Sequence, residues 1–340
     1  MPVLPIPTDI LLRWFQRRYF VKYPSLFRNW LLERDHPDVV LIELTNSCNQ
    51  ACPFCSREFM TRKVGNMPFE VFTSLIDQMT AFPQTLLRLM GLGEVSLHPR
   101  FKDCVAYASE QGIPIEITSN GHIFEVLSPK QIVESSIVRL AISIDGFGDG
   151  TYEKMRPGGN YKRLREQVEE FYRYKKGKSD APLFTIRNVL LGKTPEKRAA
   201  QAERFRGEWS ELCDGLGFND YVPARLTEVN EGPPRVCDDI LYNLHIEWDG
   251  RTPLCTLQHT ICEAEYTGNV YDVPLAEVWN DPRRVEVRQA HVNGDLSTSK
   301  FCLKCPKARP GAVYNNEARY GSFQTPVLHA LERVAWRLIR

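Results

Sequence analysis

Three cysteines lie in one short segment, where Cys48, Cys52 and Cys55 are separated by three and then by two residues. Thiolates at this spacing can ligate three irons of a cubane iron-sulfur cluster, and the fourth iron is then left open. A ferredoxin would bring a fourth cysteine close by, but the next cysteine is Cys104. The alternatives are a structural zinc site, which favours paired C-x2-C motifs, and ordinary unreactive thiols. The spacing favours a cluster with one open iron.

A second group of cysteines lies in the last third of the chain. Cys237 is followed by Cys255, and Cys302 and Cys305 form a C-x2-C pair further on. Four thiolates can complete the coordination of a [4Fe-4S] cluster, and they satisfy a tetrahedral zinc ion equally well. These cysteines therefore predict a closed metal site without deciding between iron-sulfur and zinc.

Three further cysteines belong to neither group. Cys104 falls in the middle of a predicted helix, which is typical of a small buried hydrophobic residue. Cys213 ends a predicted helix, and Cys262 lies in the loop after Cys255. Either of the last two thiols could donate a hydrogen atom to a substrate, and the alternative is that both are unreactive. Cys213 and Cys262 are therefore the candidate catalytic residues.

The segments that must position these cysteines alternate between strand and helix patterns. Such alternation predicts an α/β fold with a parallel sheet, in which sites lie at the carboxyl ends of the strands. The predicted strands are Val39–Thr45, Leu86–Met90, Ile113–Thr118, Val138–Ile144, Phe184–Leu190 and Gly217–Val222. One predicted helix begins at Pro68. Four others cover Phe101–Gln111, Pro129–Ser135, Tyr161–Lys175 and Pro195–Leu212.

Polar segments follow the second, third and fourth predicted strands. A Gly-x-Gly-Glu segment follows the second strand, where glycines let a backbone approach a ligand and the glutamate can accept from an ammonium group. Each segment alone is more often a turn. Arg187 and Asn188, inside the fifth strand, could reach the same ligand or form a cross-strand surface pair. The candidate ligand-binding residues at the three strand ends are Gly91, Gly93, Glu94, Asn120, Ser143 and Asp145.

The cysteine loop, with Phe54 directly before Cys55, and the three strand-end segments resemble the radical S-adenosylmethionine (radical SAM) family. The resemblance implies that the open iron of a [4Fe-4S] cluster binds SAM and that reduction releases a 5'-deoxyadenosyl radical. It also implies SAM contacts from Phe54 and from the strand-end residues, and a flavodoxin or ferredoxin as reductant. The six predicted βα units match the open, partial (βα)6 TIM-like barrel of this family.

The second cysteine group resembles the twitch domain, a shortened SPASM domain in which a hairpin and a helix hold an auxiliary [4Fe-4S] cluster. A hairpin is predicted over Asn243–Leu254, and a helix from Leu275 toward His291. A full SPASM domain would supply further cysteines, but none follows Cys305. The resemblance therefore implies a small C-terminal α+β domain with one auxiliary cluster.

Within the radical SAM family, the cysteine layout is similar to the dehydrogenases of aminoglycoside biosynthesis, the 2-deoxy-scyllo-inosamine dehydrogenase group. This similarity implies an oxidoreductase of antibiotic or other natural-product biosynthesis. Such an enzyme abstracts hydrogen from a carbinol carbon of a sugar, aminocyclitol or nucleoside and forms a ketone. A cluster with four protein ligands cannot anchor a substrate, but it can accept the remaining electron.

Several alternatives stay open. Epimerisation with a returned hydrogen atom, dehydration or decarboxylation of a similar substrate would use the same radical. Modification of a ribosomal peptide often uses a leader-binding winged-helix domain, and the first forty residues are too helical for one. A non-enzymatic iron-sulfur or zinc module for electron transfer or binding would make the strand-end segments coincidental.

The composition of the chain is that of a globular enzyme. Of its 340 residues 43% are hydrophobic, and a net charge of +1 gives no indication of nucleic-acid binding. No apolar run approaches the roughly 18 residues of a membrane span, and no signal peptide is recognised, so a soluble, cytoplasmic enzyme with reduced cysteines is expected.

We expect a basic amphipathic extension over 1–37, the barrel over 38–228, the auxiliary domain over 229–312 and an amphipathic helix over 313–340. Such terminal helices can lie on membranes, but packing against the barrel is favoured.

Overall fold

The computed structural model describes residues 35–82, 84–221, 236–260, 264–305 and residue 308. Within these residues, parallel strands form a seven-stranded sheet in the order β6-β5-β4-β3-β2-β1-β7. The predicted fold class, a partial barrel with a small C-terminal domain, is confirmed. The strands of the sheet are β1 Val39–Ile42, β2 Leu86–Leu89, β3 Ile115–Ser119, β4 Ile137–Ser143, β5 Leu183–Leu190, β6 Gly215–Asp220 and β7 Asn243–Ile246.

Amphipathic helices connect the strands and bury their apolar faces on the sheet. Asn160 and Thr194 cap the two longest described helices, because each side chain accepts a hydrogen bond from a backbone N–H of the first turn. The α-helices are α1 Phe69–Met79, α2 Phe101–Glu110, α3 Ile123–Val126, α4 Pro129–Glu134, α5 Thr151–Met155, α6 Tyr161–Lys175, α7 Pro195–Trp209, α8 Asp238–Tyr242, α9 Thr256–Thr260, α10 Leu275–Trp279, α11 Pro282–Val292 and α12 Lys300–Lys304. Short 3₁₀ helices cover Ser56–Phe59, Val95–Leu97 and Ser210–Leu212.

Strand side chains alternate between the helix-covered face and the inside of the barrel. Val40 and Ile42 of β1 share a hydrophobic core with Phe72 and Ile76 of α1. Leu41, which lies between the two β1 residues, therefore faces the inside of the barrel. The same alternation in the other strands decides which of their polar residues can reach a ligand there.

The prediction of a hairpin over Asn243–Leu254 is wrong in its strand pairing. β7 pairs in parallel with β1, whereas β8 (Arg251–Pro253) pairs antiparallel with β9 (Tyr266–Asn269). Residues 244–246 are all buried, and a strand that is buried on both faces belongs inside a parallel sheet. The seventh strand of the barrel sheet therefore comes from the segment that was expected to belong to the auxiliary domain.

The helix predicted from Leu275 toward His291 consists of two helices, α10 and α11. Pro282 occupies the first turn of α11, and the Asp281 side chain caps this helix by accepting from the backbone N–H of Arg283 at 2.9 Å. The expected terminal helices over 1–37 and 313–340 lie almost wholly outside the described residues, and Cys262 lies outside them too. Among the described helices, none has the length and apolar character needed to cross a membrane.

Candidate functional site

The first cysteine group forms a tight loop beyond the carboxyl end of β1. The backbone N–H of Cys55 donates to the carbonyl of Cys52 at 2.9 Å, and the Cys55 sulfur accepts from the Arg57 N–H at 3.5 Å. Burial raises the pKa of the Cys52 thiol to about 11, and the nearby Cys55 and Cys48 also raise it. Bound iron would reverse this effect, since a metal ion stabilises the thiolate. The three half-buried thiols therefore fit an iron-sulfur cluster.

Asn120 and Arg156 hold this cysteine loop in place. The Asn120 amide, after β3, donates to Asn49 Oδ1 at 2.8 Å and lies 3.8 Å from the Cys48 sulfur. Arg156 donates from Nη1 to Gln50 Oε1 at 3.1 Å. The loop is therefore held from two sides, and Asn120, a predicted ligand-binding residue, lies beside Cys48.

Glu94 joins the ends of β2 and β3. Its buried carboxylate accepts from the backbone N–H of Ser96 and of Asn120, at 3.2 and 2.6 Å. It also accepts from the hydroxyls of Ser96 and Ser119, at 2.6 and 2.9 Å. Three of these hydrogen bonds end on Oε1, so Oε2, with one, has room for a further donor.

The two glycines before Glu94 are required by contacts within the protein. A Cβ atom on Gly93 would lie 2.4 Å from the carbonyl oxygen of Ser47 in the cysteine loop. A Cβ on Gly91 would lie 2.5 Å from the Glu43 side chain. The sequence argument gave close approach to a ligand as the reason for these glycines, whereas the structure shows that they admit neighbouring protein atoms.

Glu43 and Arg62 form a buried pair that the sequence analysis missed. Arg62 binds Glu43 at 2.7 and 3.1 Å and also lies 3.3 Å from Glu247, beyond β7. Burial alone would lower the pKa of Arg62, but Glu43 and Glu247 raise it above its usual value. The available signal was the position of Glu43 inside the apolar run Val39–Thr45 of the first predicted strand, since a buried carboxylate needs a partner.

Asp145 and Asn188, both predicted to bind SAM, have partners within the protein. Asp145 is buried and pairs with Arg156, with 2.9 Å between Oδ2 and Nε, and it accepts from the Val189 N–H at 2.6 Å. Asn188 donates to the carbonyl of Ile144 at 3.0 Å and accepts from Gln201 at 2.8 Å. In this structure, both side chains stabilise the connection between β4 and β5.

Ser143 and Arg187 lie opposite each other in the β4–β5 register, and Ser143 is half-buried at the end of its strand. Arg187 reaches Glu116 of β3, with 3.7 Å between the charged groups, and Arg88 and Arg139 lie 3.1 and 3.8 Å from the same carboxylate. Burial alone would raise the pKa of Glu116, but these three arginines lower it. Sequence reasoning missed this charged cluster inside the barrel.

The second cysteine group is brought together in the C-terminal region. Cys237, Cys255, Cys302 and Cys305 are all buried and belong to one small hydrophobic core. Burial raises the pKa of the Cys302 thiol to about 12, and the nearby Cys305 also raises it. Within the residues described, no group of three or more His, Cys, Asp or Glu side chains forms a site for a single metal ion. Four buried cysteines that share one core supply the number and kind of donor atoms that a fully ligated iron-sulfur cluster requires.

The two remaining thiols of the described residues, Cys104 and Cys213, lie away from the carboxyl ends of the strands. Cys104 is fully buried in the core, as predicted. Cys213 lies two residues before β6, at the amino end of the sheet, where its thiol contacts the carbonyl of Trp209 at 3.4 Å. Burial raises the pKa of the Cys213 thiol to about 11. This placement is unfavourable for the predicted hydrogen donation, because the cysteine loop lies at the opposite end of the strands.

Two family models match the chain. Residues 42–202 match the radical SAM superfamily, and residues 237–306 match an iron-sulfur cluster-binding domain, SPASM. The first match contains the cysteine loop and the ends of β2 to β5. The second contains the four buried cysteines.

Two curated relatives illustrate the similarity. The tungsten-containing aldehyde ferredoxin oxidoreductase cofactor-modifying protein of Pyrococcus furiosus is 28% identical over 31% of this chain and 30% of its own length. The mycofactocin maturase MftC of Mycobacterium ulcerans is 25% identical over 74% of this chain and 72% of its own. The chain thus spans less than a third of the Pyrococcus protein.

Solved structures share the fold. SuiB of Streptococcus suis, bound to the precursor peptide SuiA, aligns with a TM-score of 0.61 and 13% identity over 92% of this chain and 82% of SuiB. BtrN in complex with AdoMet and 2-DOIA aligns with a TM-score of 0.50 and 12% identity over 80% of this chain and 92% of BtrN. Together, the two cysteine sites, the barrel and the family matches show that the chain contains a radical SAM domain, with a [4Fe-4S] cluster and SAM as cofactors, and a SPASM-type domain with an auxiliary iron-sulfur cluster.

Proposed function

We propose that this enzyme oxidises a carbinol carbon of a sugar, aminocyclitol or nucleoside to a ketone, with the auxiliary cluster as electron acceptor. The observation that carries the proposal is that four buried cysteines share one core in the C-terminal region. A cluster whose irons all have protein ligands offers no open iron to a substrate, but it can take up an electron. The auxiliary cluster is therefore better suited to oxidation than to substrate binding.

We assign Cys48, Cys52 and Cys55 as ligands of the first cluster. SAM bound at its open iron supplies the 5'-deoxyadenosyl radical that takes the substrate hydrogen atom. Glu94 can accept from the SAM ammonium group through Oε2, which has one protein donor at 2.6 Å. Ser143, half-buried at the end of β4, can meet the ribose or the carboxylate.

The auxiliary ligands in this proposal are Cys237, Cys255, Cys302 and Cys305. Radical epimerisation through Cys213 is less well supported, because it needs a thiol that returns hydrogen to the substrate. Cys213 is packed in the hydrophobic core near the amino end of β6. A thiol in that position cannot reach a substrate at the carboxyl ends of the strands without a rearrangement of the core.

Modification of a peptide is the second candidate function. It is favoured by the alignment with the mycofactocin maturase, which extends over 74% of this chain and so includes more than the radical SAM region. In this case, the auxiliary cluster would accept an electron from a peptide side chain or backbone carbon. The two candidates differ in substrate class and share the proposed cluster ligands.

A substrate panel separates the two candidates. Anaerobically reconstituted enzyme is incubated with SAM, flavodoxin as reductant, and either small carbinols (sugars, aminocyclitols, nucleosides) or short peptides. We expect a small carbinol to stimulate formation of 5'-deoxyadenosine and to yield one ketone per SAM cleaved, detected by mass spectrometry after hydrazine trapping. Stimulation by peptides alone, with loss of two hydrogens from the peptide, would refute the first proposal in favour of the second.

A further inference from the structure

Helix α11 buries three basic side chains beside the auxiliary cysteines. Val287 of this helix packs in the same small core as the four cysteines. Arg284, Arg288 and His291 follow the i, i+4, i+7 spacing of one helix face, and their exposed fractions are 2, 4 and 1%. Burying polar or charged side chains without partners costs free energy, so these three residues need hydrogen-bond acceptors or negative charge in the C-terminal region.

His291 contacts a cluster cysteine directly. Its Nε2 lies 3.3 Å from the sulfur of Cys302, while its Nδ1 is buried and has no hydrogen-bond partner in the described part of the chain. A thiolate that ligates iron carries no proton. In the loaded protein, the proton of this contact therefore has to come from Nε2 of His291, which makes the imidazole the donor and the sulfur the acceptor.

Arg284 supplies positive charge to the same site. It donates to the carbonyl of Pro253 at 2.7 Å and to that of Leu254 at 3.4 Å, directly before Cys255. Arg288 repels the guanidinium of Arg284 and Asp281 attracts it, but no ion pair joins Arg284 to a carboxylate within the described residues. The buried acid near the cysteines is Asp239 of α8, which accepts from Asn243 and Thr256. An anionic cluster would compensate the guanidinium of Arg284.

We propose that His291 is a positioning residue that raises the reduction potential of the auxiliary cluster through an N–H···S hydrogen bond to Cys302, with Arg284 adding positive charge. Hydrogen bonds to cluster sulfurs are among the factors that set these potentials. Reduction makes the cluster more negative, and a donor beside the sulfur stabilises the more negative state. The inference rests on the proposed ligation of the auxiliary cluster by Cys302, and it explains how that cluster becomes an acceptor.

The test uses enzyme in which Cys48, Cys52 and Cys55 are replaced by alanine, so that only the auxiliary cluster remains. In a redox titration followed by EPR, we expect His291→Leu to shift the midpoint potential to a more negative value. His291→Gln, which retains an N–H donor, should restore part of the shift. An unchanged potential in His291→Leu with full iron content would overturn the proposal.

His98 offers a matched control for these substitutions. It is a buried histidine of the barrel, and its ring contacts the Met67 carbonyl at 2.8 Å, not a cysteine. His98→Leu should leave the auxiliary potential unchanged. An equal shift in both leucine variants would mean that the shift reports general destabilisation, which would also overturn the proposal.

A second measurement covers the case in which His291→Leu loses its cluster. Protein labelled with ¹⁵N-histidine is reduced and studied by pulsed EPR, where we expect a weak ¹⁵N coupling to the auxiliary cluster. No coupling, or one as large as that of an iron-bound nitrogen, would overturn the proposal.

The ligand assignment is tested separately by Cys302→Ala, in which an unaltered auxiliary EPR spectrum would refute ligation by Cys302 itself.

Discussion

Arg62 holds the Glu43 carboxylate through two hydrogen bonds, 2.7 Å from Nη1 to Oε1 and 3.1 Å from Nη2 to Oε2. Glu43 directly follows β1, and Arg62 lies beyond the cysteine loop. Arg62 also lies 3.3 Å from Glu247, which follows β7. One arginine thus connects the strand that precedes the first cluster, the segment after its loop, and the part of the chain that leads to the auxiliary cysteines.

Replacement of Arg62 by alanine should destabilise the protein strongly. Breaking a buried ion pair by removing one partner costs about 3–5 kcal/mol, because the remaining charge is left uncompensated. Arg206→Ala is the matched control, since Arg206 pairs with Glu203 at 3.2 Å but the two side chains are 52 and 79% exposed. That variant should lose less than about 1 kcal/mol. Urea denaturation of both reconstituted variants measures the difference, and equal losses would contradict the role given to Arg62.

Replacement of Cys48, Cys52 and Cys55 by alanine should remove one of two clusters. We expect iron and sulfide to fall to about half of the wild-type content, and SAM cleavage to be abolished, because the open iron is the binding site for SAM. Cys104→Ala is a suitable control, since this thiol is buried in the barrel core. Elemental analysis would also reveal zinc, and about four irons with one zinc in the wild-type chain would contradict the presence of an auxiliary iron-sulfur cluster.

Glu94→Ala and Ser143→Leu should weaken SAM binding while the iron content stays near that of the wild type. A hydrogen bond to a charged group contributes about 1.5–3 kcal/mol, which corresponds to roughly tenfold or more in affinity. Glu94→Ala should also lower thermal stability, because four hydrogen bonds are lost, two of them to Ser96 and two to Ser119 and Asn120 at the end of β3. Ser179→Leu, in an exposed loop, serves as control. SAM affinity that is unchanged in both site variants would show that the SAM site lies elsewhere.

The fate of the substrate hydrogen distinguishes oxidation from epimerisation. In heavy water, the proposed reaction gives a ketone and leaves the abstracted hydrogen in 5'-deoxyadenosine, so no solvent deuterium is incorporated at carbon by the radical step. Cys213→Ala should leave this reaction unaffected, because Cys213 is buried near the amino end of β6. Deuterium at an inverted carbinol carbon, absent in Cys213→Ala or Cys262→Ala, would instead support an epimerase.

The sequence predicted the barrel well because its strands carry the strong signal of a parallel sheet. Residues 39–42 are all buried, and the predicted helix Tyr161–Lys175 has the bounds of α6. The pairing of β7 could not be predicted, because a short buried strand near an Asp-Gly turn resembles a hairpin strand. Whether it pairs with its neighbour in sequence or with a distant β1 depends on tertiary packing.

The sequence indicated where the candidate site residues lie in the fold, but not which side chains they contact. Glu94 and Asn120 lie at strand ends beside the cysteine loop, as their order in the chain indicated. Asp145, however, pairs with Arg156, which lies eleven residues further along the chain, and no periodic pattern indicates such a partner. The contact between His291 and Cys302 could not be predicted from the sequence either, because it depends on how α11 packs against α12.

EPR of the reduced enzyme, recorded with and without SAM, tests most directly whether the chain holds one open and one closed cluster. We expect two [4Fe-4S] signals, of which SAM changes one. The signal that SAM leaves unchanged should be the one that remains in the variant with Cys48, Cys52 and Cys55 replaced by alanine. A single signal, or two signals that SAM changes alike, would contradict the assignment of the two cysteine groups to a SAM-binding and a fully ligated cluster.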